Sequence, residues 1–437
     1  MKKRSLFILF VTVTLFGSVF VACSDGGTGQ GNADTEDTAE NEAVEITFQH
    51  IGGTVPQQEE VLEKMAVEFE EKTGVKVTVV NVGWGEAYSL FQRQVVAGEA
   101  PDLVMLQGPW ANEYMNLGAL APVDDYVSEE VLNNFIDTGF APVSGDDGKL
   151  YGIPWDGSIW GFFYRKDLFE EAGLDPEQPP KNWDELLEYA EKLTDDDQYG
   201  LVFPATGWEP DDYFLPFMWQ AGNEVVEFEG ETWKSVIADE SGLEAAQYVY
   251  DLVNKHKVVT KSITGMDWEA VANQFISGKA AMMFNGMWAT GSLEGNQEIE
   301  GKWATALSPE GPTGIKAVLG YPNTLHITEQ SAHKEEVGQF IDFIFSGERP
   351  NLFEEYMIAT GVVGWTKDFS ELPYAQTEVI KPFVEQIEFA KNRPIVPNYE
   401  EFRQSYFNPG IQDLIMGELS PEEFVEEMDK AFNELQK

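Results

Sequence analysis

Four consecutive apolar residues, Leu103-Val104-Met105-Leu106, follow Pro101-Asp102 without polar alternation, the pattern of a strand buried on both faces. Such a strand belongs to a parallel sheet covered by helices, so the chain is read as α/β. The preceding segment agrees. Val44-Glu45-Ile46-Thr47-Phe48 alternates at strand period until Gln49-His50-Ile51-Gly52-Gly53 breaks it. Pro56 then opens a helix with Val61, Leu62, Met65 and Phe69 on one face, Gly74 stops it, and Val75, Val77 and Val79 alternate as a second strand. This is a βαβ unit. A further helix over residues 88–96 ends at Gly98. Ligands of open parallel sheets sit beyond the carboxyl ends of the strands, so His50, Trp84 and Gln107 become candidate binding residues by position.

Downstream, the spacing predicts helices over residues 183–193, capped by Asn182, over 267–276 and over 331–345, and a last one starting at Ser420-Pro421-Glu422-Glu423. Trp183 and Trp268 fall on apolar helical faces and are assigned to packing. A strand, Ala280-Ala281-Met282-Met283-Phe284, runs into the turn Asn285-Gly286-Met287-Trp288.

The first 22 residues carry Lys2, Lys3 and Arg4 before an apolar stretch and read as a secretory signal. Cys23 is the sole cysteine, and Val21-Ala22-Cys23 resembles a lipobox, so the thiol is the expected lipid attachment point. With no second cysteine there is no disulfide, thiolate nucleophile or thiolate metal site, and the fold must be held by its core. Residues 24–43 are rich in Gly, Asn, Asp, Thr and Glu and read as a tether. The expected location is outside the cell, anchored through lipid to the outer face of the cytoplasmic membrane. The remainder is long enough for two packed cores. Acidic residues outnumber basic ones by 76 to 28, a net charge of −48. Nucleic acid is therefore excluded as a partner, and a neutral or cationic ligand fits better. So large a like-charge excess should lower stability at low ionic strength, where screening is weak.

Taken in order, Gly98-Glu99-Ala100-Pro101-Asp102-Leu103, Asp147-Gly148-Lys149-Leu150-Tyr151-Gly152-Ile153-Pro154, Tyr164-Arg165-Lys166-Asp167-Leu168-Phe169 and Gly278-Lys279-Ala280-Ala281-Met282-Met283-Phe284-Asn285-Gly286-Met287-Trp288 resemble the extracellular solute-binding proteins of the maltose-binding type, solute-binding family 1. The resemblance covers nearly all of residues 44–437. It implies a two-lobed periplasmic-binding-protein-like fold of type II, each lobe a sheet flanked by helices. One lobe is expected over 44–154 plus 322–361 and the other over 155–321 plus 362–437, with crossings near 154–156, 317–321 and 361–365. It further implies a small-molecule ligand, a sugar or oligosaccharide, passed to the permease of an ABC importer by a monomeric receptor. No cofactor is expected.

A sugar presents flat C–H patches and a rim of hydroxyls, so its receptor needs aromatic faces and polar groups. Trp288, in a turn similar to the family's ligand-stacking one, is the leading candidate. Trp208 and Asp212 occupy the loop where the family places a ligand-facing aromatic and carboxylate; Trp155 and Asp156 sit at the first crossing, and Tyr321 at the second. Arg403, at the start of a late helix, completes the set. The segment Leu106-Gln107-Gly108-Pro109-Trp110 departs from the family's aromatic and charged cluster, so maltodextrin itself is in doubt and a polyol or compatible solute stays open. His256, His326 and His333 lack metal-ligand spacing, and no metal site is expected. A secreted glycosidase would need only two carboxylates, but no G-x-S-x-G elbow, H-E-x-x-H helix or phosphate loop is present. Binding without catalysis is the expectation, and a receptor feeding a sensor is the alternative to one feeding a transporter.

Overall fold

Side-chain partners, as well as hydrophobic alternation, decide where the first strand ends. The structure is a computed structural model that describes residues 44–52, 56–347 and 350–437. The signal, Cys23 and the tether lie outside the described residues. Strand β1 (Glu45–Ile51) continues through Gln49 and His50, past the predicted break. Both polar side chains are accommodated: Gln94 Nε2 donates to Gln49 Oε1 at 2.9 Å, and His50 Nε2 lies 2.8 Å from the Tyr356 hydroxyl.

The helix Pro56–Thr73 leads to β2 (Lys76–Val82), which pairs in parallel with β1 as the βαβ reading requires. The next helix, Trp84–Ala97, starts earlier than predicted and ends before Gly98. Strand β3 (Leu103–Gln107) is buried along its whole length. The later strands are β4 (Ile153–Arg165), β5 (Tyr199–Val202), β6 (Val226–Glu229), β7 (Thr232–Ser235), β8 (Ala280–Gly286), β9 (Trp303–Ala306), β10 (Val318–Ile327) and β11 (Ala390–Lys391). One sheet has the order β2-β1-β3-β10-β4-β8-β5, with β9 against β4 and β11 against β10, while β6 and β7 form a separate hairpin. The parallel neighbour expected for β3 is found on one side only, where it pairs with β1; on the other it is antiparallel to β10.

Of the predicted helices, Trp183–Leu193 is capped by Asn182, whose side chain accepts the Glu185 N–H at 2.9 Å. Trp268–Ile276 is capped by Asp267, and Pro421–Leu435 opens on the Ser420/Glu423 capping box. The helix expected from Ser331 begins at Lys334 instead. Ser331 is held in a turn, donating to Asp102 Oδ1 at 2.6 Å and accepting the His333 N–H at 3.0 Å.

β4 and β10 are long enough to serve both halves of the sheet. β10 pairs with β3 through residues 323–327, whereas β4 pairs with β8 through 160–164 and with β9 through 162–165. Between them the register shifts, from Pro322 opposite Gly157 to Thr324 opposite Pro154. One residue of β10 thus faces two of β4, a bulge that brings both Trp155 and Asp156 to Tyr356. A third pass of the chain closes the junction, because the Gly157 N–H donates to Val363 O at 2.6 Å.

Candidate functional site

On the β8 side of this junction, the strand ends at Gly286 and a single turn, Met287–Ala289, presents Trp288. The indole lies directly over Gly286: a Cβ there would stand 2.1 Å from ring atoms of Trp288. Trp160 meets Trp288 edge-on at 5.0 Å and continues to Tyr321 at 5.5 Å. Trp288 remains partly exposed. Its second edge-on neighbour, at 6.4 Å, is Trp268. Assigning Trp268 to packing is thus corrected: it is partly exposed at the first turn of its helix, beside Trp288.

Glu209, which sequence reasoning passed over, lies next to this group. It is only 3% exposed, lies by the Trp268 backbone N–H and has no partner for Oε2. Burial pushes its carboxyl up to about 8, with a smaller contribution from Asp267. A carboxyl whose folded pKa is raised contributes stability fully below its unfolded pKa, and that contribution is lost as pH climbs through about 8. Glu209→Gln is therefore expected to melt above the parent at pH 9, by roughly 2–4 kcal/mol of relative stability, and to lose that advantage near pH 5. Melting curves across pH check this, and an identical pH profile in the two proteins would refute it.

Beneath Trp208 and Glu209 lies a buried ionic network. Arg393 Nε donates to Asp211 Oδ2 at 2.9 Å, its Nη1 to the Tyr321 hydroxyl at 3.0 Å, and its Nη2 to Asp212. Arg403 Nη1 reaches Asp211 Oδ1 at 2.9 Å and Trp208 O at 2.7 Å, while its Nε and Nη2 bind Glu400 at 2.9 and 2.8 Å. Of the residues picked out by sequence, Trp208 is partly exposed. Asp212, Tyr321 and Arg403 are at most 2% exposed and turned into the protein, where each is bound to another side chain. Their polar groups are satisfied within the protein, because isolated buried charges are prohibitively costly and these have found each other.

On the β1–β3 side, His50 bridges Asn81 at 3.2 Å and Tyr356 at 2.8 Å. The Tyr356 hydroxyl also receives Gln58 Nε2 at 2.8 Å and lies 3.5 Å from Asp156 Oδ2. Asn323 Nδ2 donates to Asp156 Oδ1 at 2.5 Å. Burial lowers His50 to about 3 and raises Asp156 to about 6, the latter against its hydrogen bonds from Asn323 and Tyr356. Trp155 is fully buried among Phe48, Phe345, Phe353 and Tyr356, so its ring packs the core. Gln107 and Asn323 are opposite one another across β3 and β10, and Gln107 Oε1 and Asn323 Oδ1 both lack a partner.

Trp84 opens its helix partly exposed. Trp110 is also partly exposed and stands edge-on to Tyr88 at 5.4 Å. Burial, Glu113 and Glu400 all push Tyr88 upward, which places Glu400 of the arginine network within electrostatic reach of the Trp84–Ala97 helix. Among the described residues no group of His, Cys, Asp and Glu is arranged to hold a metal ion. The arrangement as a whole offers partly exposed indoles and unpartnered polar atoms, both donors and acceptors, around the three-strand junction.

Residues 54–348 match the model of the bacterial extracellular solute-binding protein family. A Brucella abortus (strain 2308) protein named as a binding protein is 28% identical over 84% of this chain and 87% of its own length. The lactose-binding protein of Rhizobium radiobacter is 24% identical over 60% of this chain and 61% of its own. Among solved structures, maltose-bound MalE3 of T. maritima superimposes with a TM-score of 0.79 at 25% identity, covering 90% of this chain and 100% of that one. The α/β fold with two lobes, the type II arrangement implied by the sequence motifs, is the fold of this chain. With most of its length matched to the family model and its junction of crossing strands in place, the chain belongs to the family of bacterial extracellular solute-binding proteins.

Proposed function

We propose that this protein captures a sugar or oligosaccharide between its two lobes and delivers it, chemically unchanged, to the permease of an ABC importer. The observation that carries the reading is Trp288: an indole fixed over Gly286 and braced edge-on by Trp160 and Trp268, with the unpartnered Glu209 oxygen among its neighbours. An aromatic plate beside polar oxygens is what a ring of C–H patches and hydroxyls requires. The lactose-binding and maltose-bound relatives support a saccharide as ligand.

In this reading Trp288, Trp208 and Trp84 provide plates, and Gln107, Asn323 and Glu209 provide rim groups. Trp155, Asp156, Tyr321, His50, Asp212 and Arg403 hold those groups in position from behind. The lobes take residues 44–154 plus 322–361 and 155–321 plus 362–437. Ligand touching both lobes favours the closed form by differential affinity, and the closed form engages the permease. The protein acts as a monomer without enzymatic activity, held at the outer face of the membrane through lipidated Cys23; among the described residues no helix is long and apolar enough to cross a bilayer. A thermal-shift screen of neutral mono- and oligosaccharides, polyols and betaines tests the reading. A saccharide hit confirmed by calorimetry at micromolar Kd, about −8 kcal/mol, is the expected result. Silence of every saccharide, or recovery of a cleaved sugar, would overturn it.

A further inference from the structure

Arg393 and Arg403 are the cationic side chains of the site, and every nitrogen of both guanidinium groups is occupied by the protein itself. Arg393 is held by Asp211, Asp212 and the Tyr321 hydroxyl; Arg403 is held by Asp211, Glu400 and Trp208 O. Their side chains are 2% and 3% exposed. Guanidinium is the group best suited to reading a carboxylate or phosphate through parallel N–H bonds, and here both are turned to internal carboxylates. Two unpartnered amide oxygens facing one another across β3 and β10 have the opposite character. Gln107 Oε1 and Asn323 Oδ1 are acceptors on residues 4% and 2% exposed. Each calls for a hydrogen, which a hydroxyl supplies and an anionic oxygen cannot.

We propose that Asp211 and Asp212 act as an anion filter: by locking Arg393 and Arg403 they restrict the solute to saccharides that present hydroxyl hydrogens and carry no carboxylate, sulfate or phosphate. The inference rests on the sugar-capture reading above and narrows it. The overall charge of −48 would also repel anions. That long-range effect fades at 1 M salt, where the Debye length is about 3 Å, whereas a buried lock persists.

The test is calorimetric titration of the full chain in 1 M NaCl with maltotriose, lactose and arabinotriose on one side and trigalacturonate and maltose 1-phosphate on the other. At least one neutral sugar is expected to bind, with both acidic ones weaker than it by about a hundredfold or more. Asp212→Asn frees one edge of Arg393 and should narrow that ratio about tenfold. An acidic sugar binding the parent protein as tightly as the best neutral one overturns the filter, a result that does not depend on the variant folding. An unchanged ratio in a folded Asp212→Asn protein does the same. Failure of all five sugars would instead overturn the capture of saccharides, and the filter with it.

Discussion

Asp211→Ala is expected to destabilise the protein by about 3–5 kcal/mol, the largest loss of any single substitution considered. Asp211 is fully buried and accepts from Arg393 through one oxygen and from Arg403 through the other, at 2.9 Å in each case. Its backbone N–H is also tied, donating to Asn408 Oδ1 at 2.9 Å. Removing the carboxylate leaves two buried guanidinium groups sharing fewer counter-charges in a region water does not reach. The loss follows from that uncompensated charge; the intact pair itself contributes little net stability over a well-packed apolar substitute. A fall in melting temperature of about 5–10 °C would register it. The exposed pair Lys64–Glu355, at 2.6 Å with side chains 43% and 33% exposed, is the contrasting case, and Lys64→Ala should cost about 1 kcal/mol or less. Equal losses in the two variants would contradict this account of the network.

Trp288→Ala is expected to weaken binding of the best saccharide tenfold or more, since stacking on an indole contributes about 1.4 kcal/mol. The same loss should follow from Gly286→Ala with the indole still present. A Cβ at position 286 would overlap the ring at 2.1 Å, so the tryptophan would have to leave its place above the strand end. Calorimetric affinities of the two variants check both effects. If Gly286→Ala binds like the parent while Trp288→Ala does not, the position of the ring is irrelevant and only its area matters.

Much of the scaffold was legible in the sequence because periodicity and caps are local. β3 could be read from four apolar residues, and Asn182 and Ser420 were recognisable as caps from the residues that follow them. What pairs with β3 on its far side was not legible: β10 lies more than two hundred residues downstream, and its antiparallel approach leaves no trace at residues 103–107. The site was only partly legible. Trp288 stood out because its turn is contiguous. Trp268 was misassigned because helical spacing places it on an apolar face, yet as the first residue of its helix it reaches the end of β8. Trp155 and Asp156 were picked out for their place at the expected crossing, but the bulge between β4 and β10 determines that both turn toward Tyr356. Glu209, Asn323 and Arg393 were missed for a common reason: a buried carboxyl, amide or guanidinium acquires its meaning from partners distant in the chain. A signal for Glu209 did exist, since an acidic residue directly before the N1 proline of a helix of mostly apolar residues has few ways to remain solvated.

Closure of the two lobes on a guest would be seen by X-ray scattering in solution. The full chain is measured alone and with a saturating amount of the saccharide that gives the largest thermal shift. A smaller radius of gyration is expected in the presence of sugar, with the mass unchanged. Superimposable profiles with and without a sugar that calorimetry shows to be bound would contradict it.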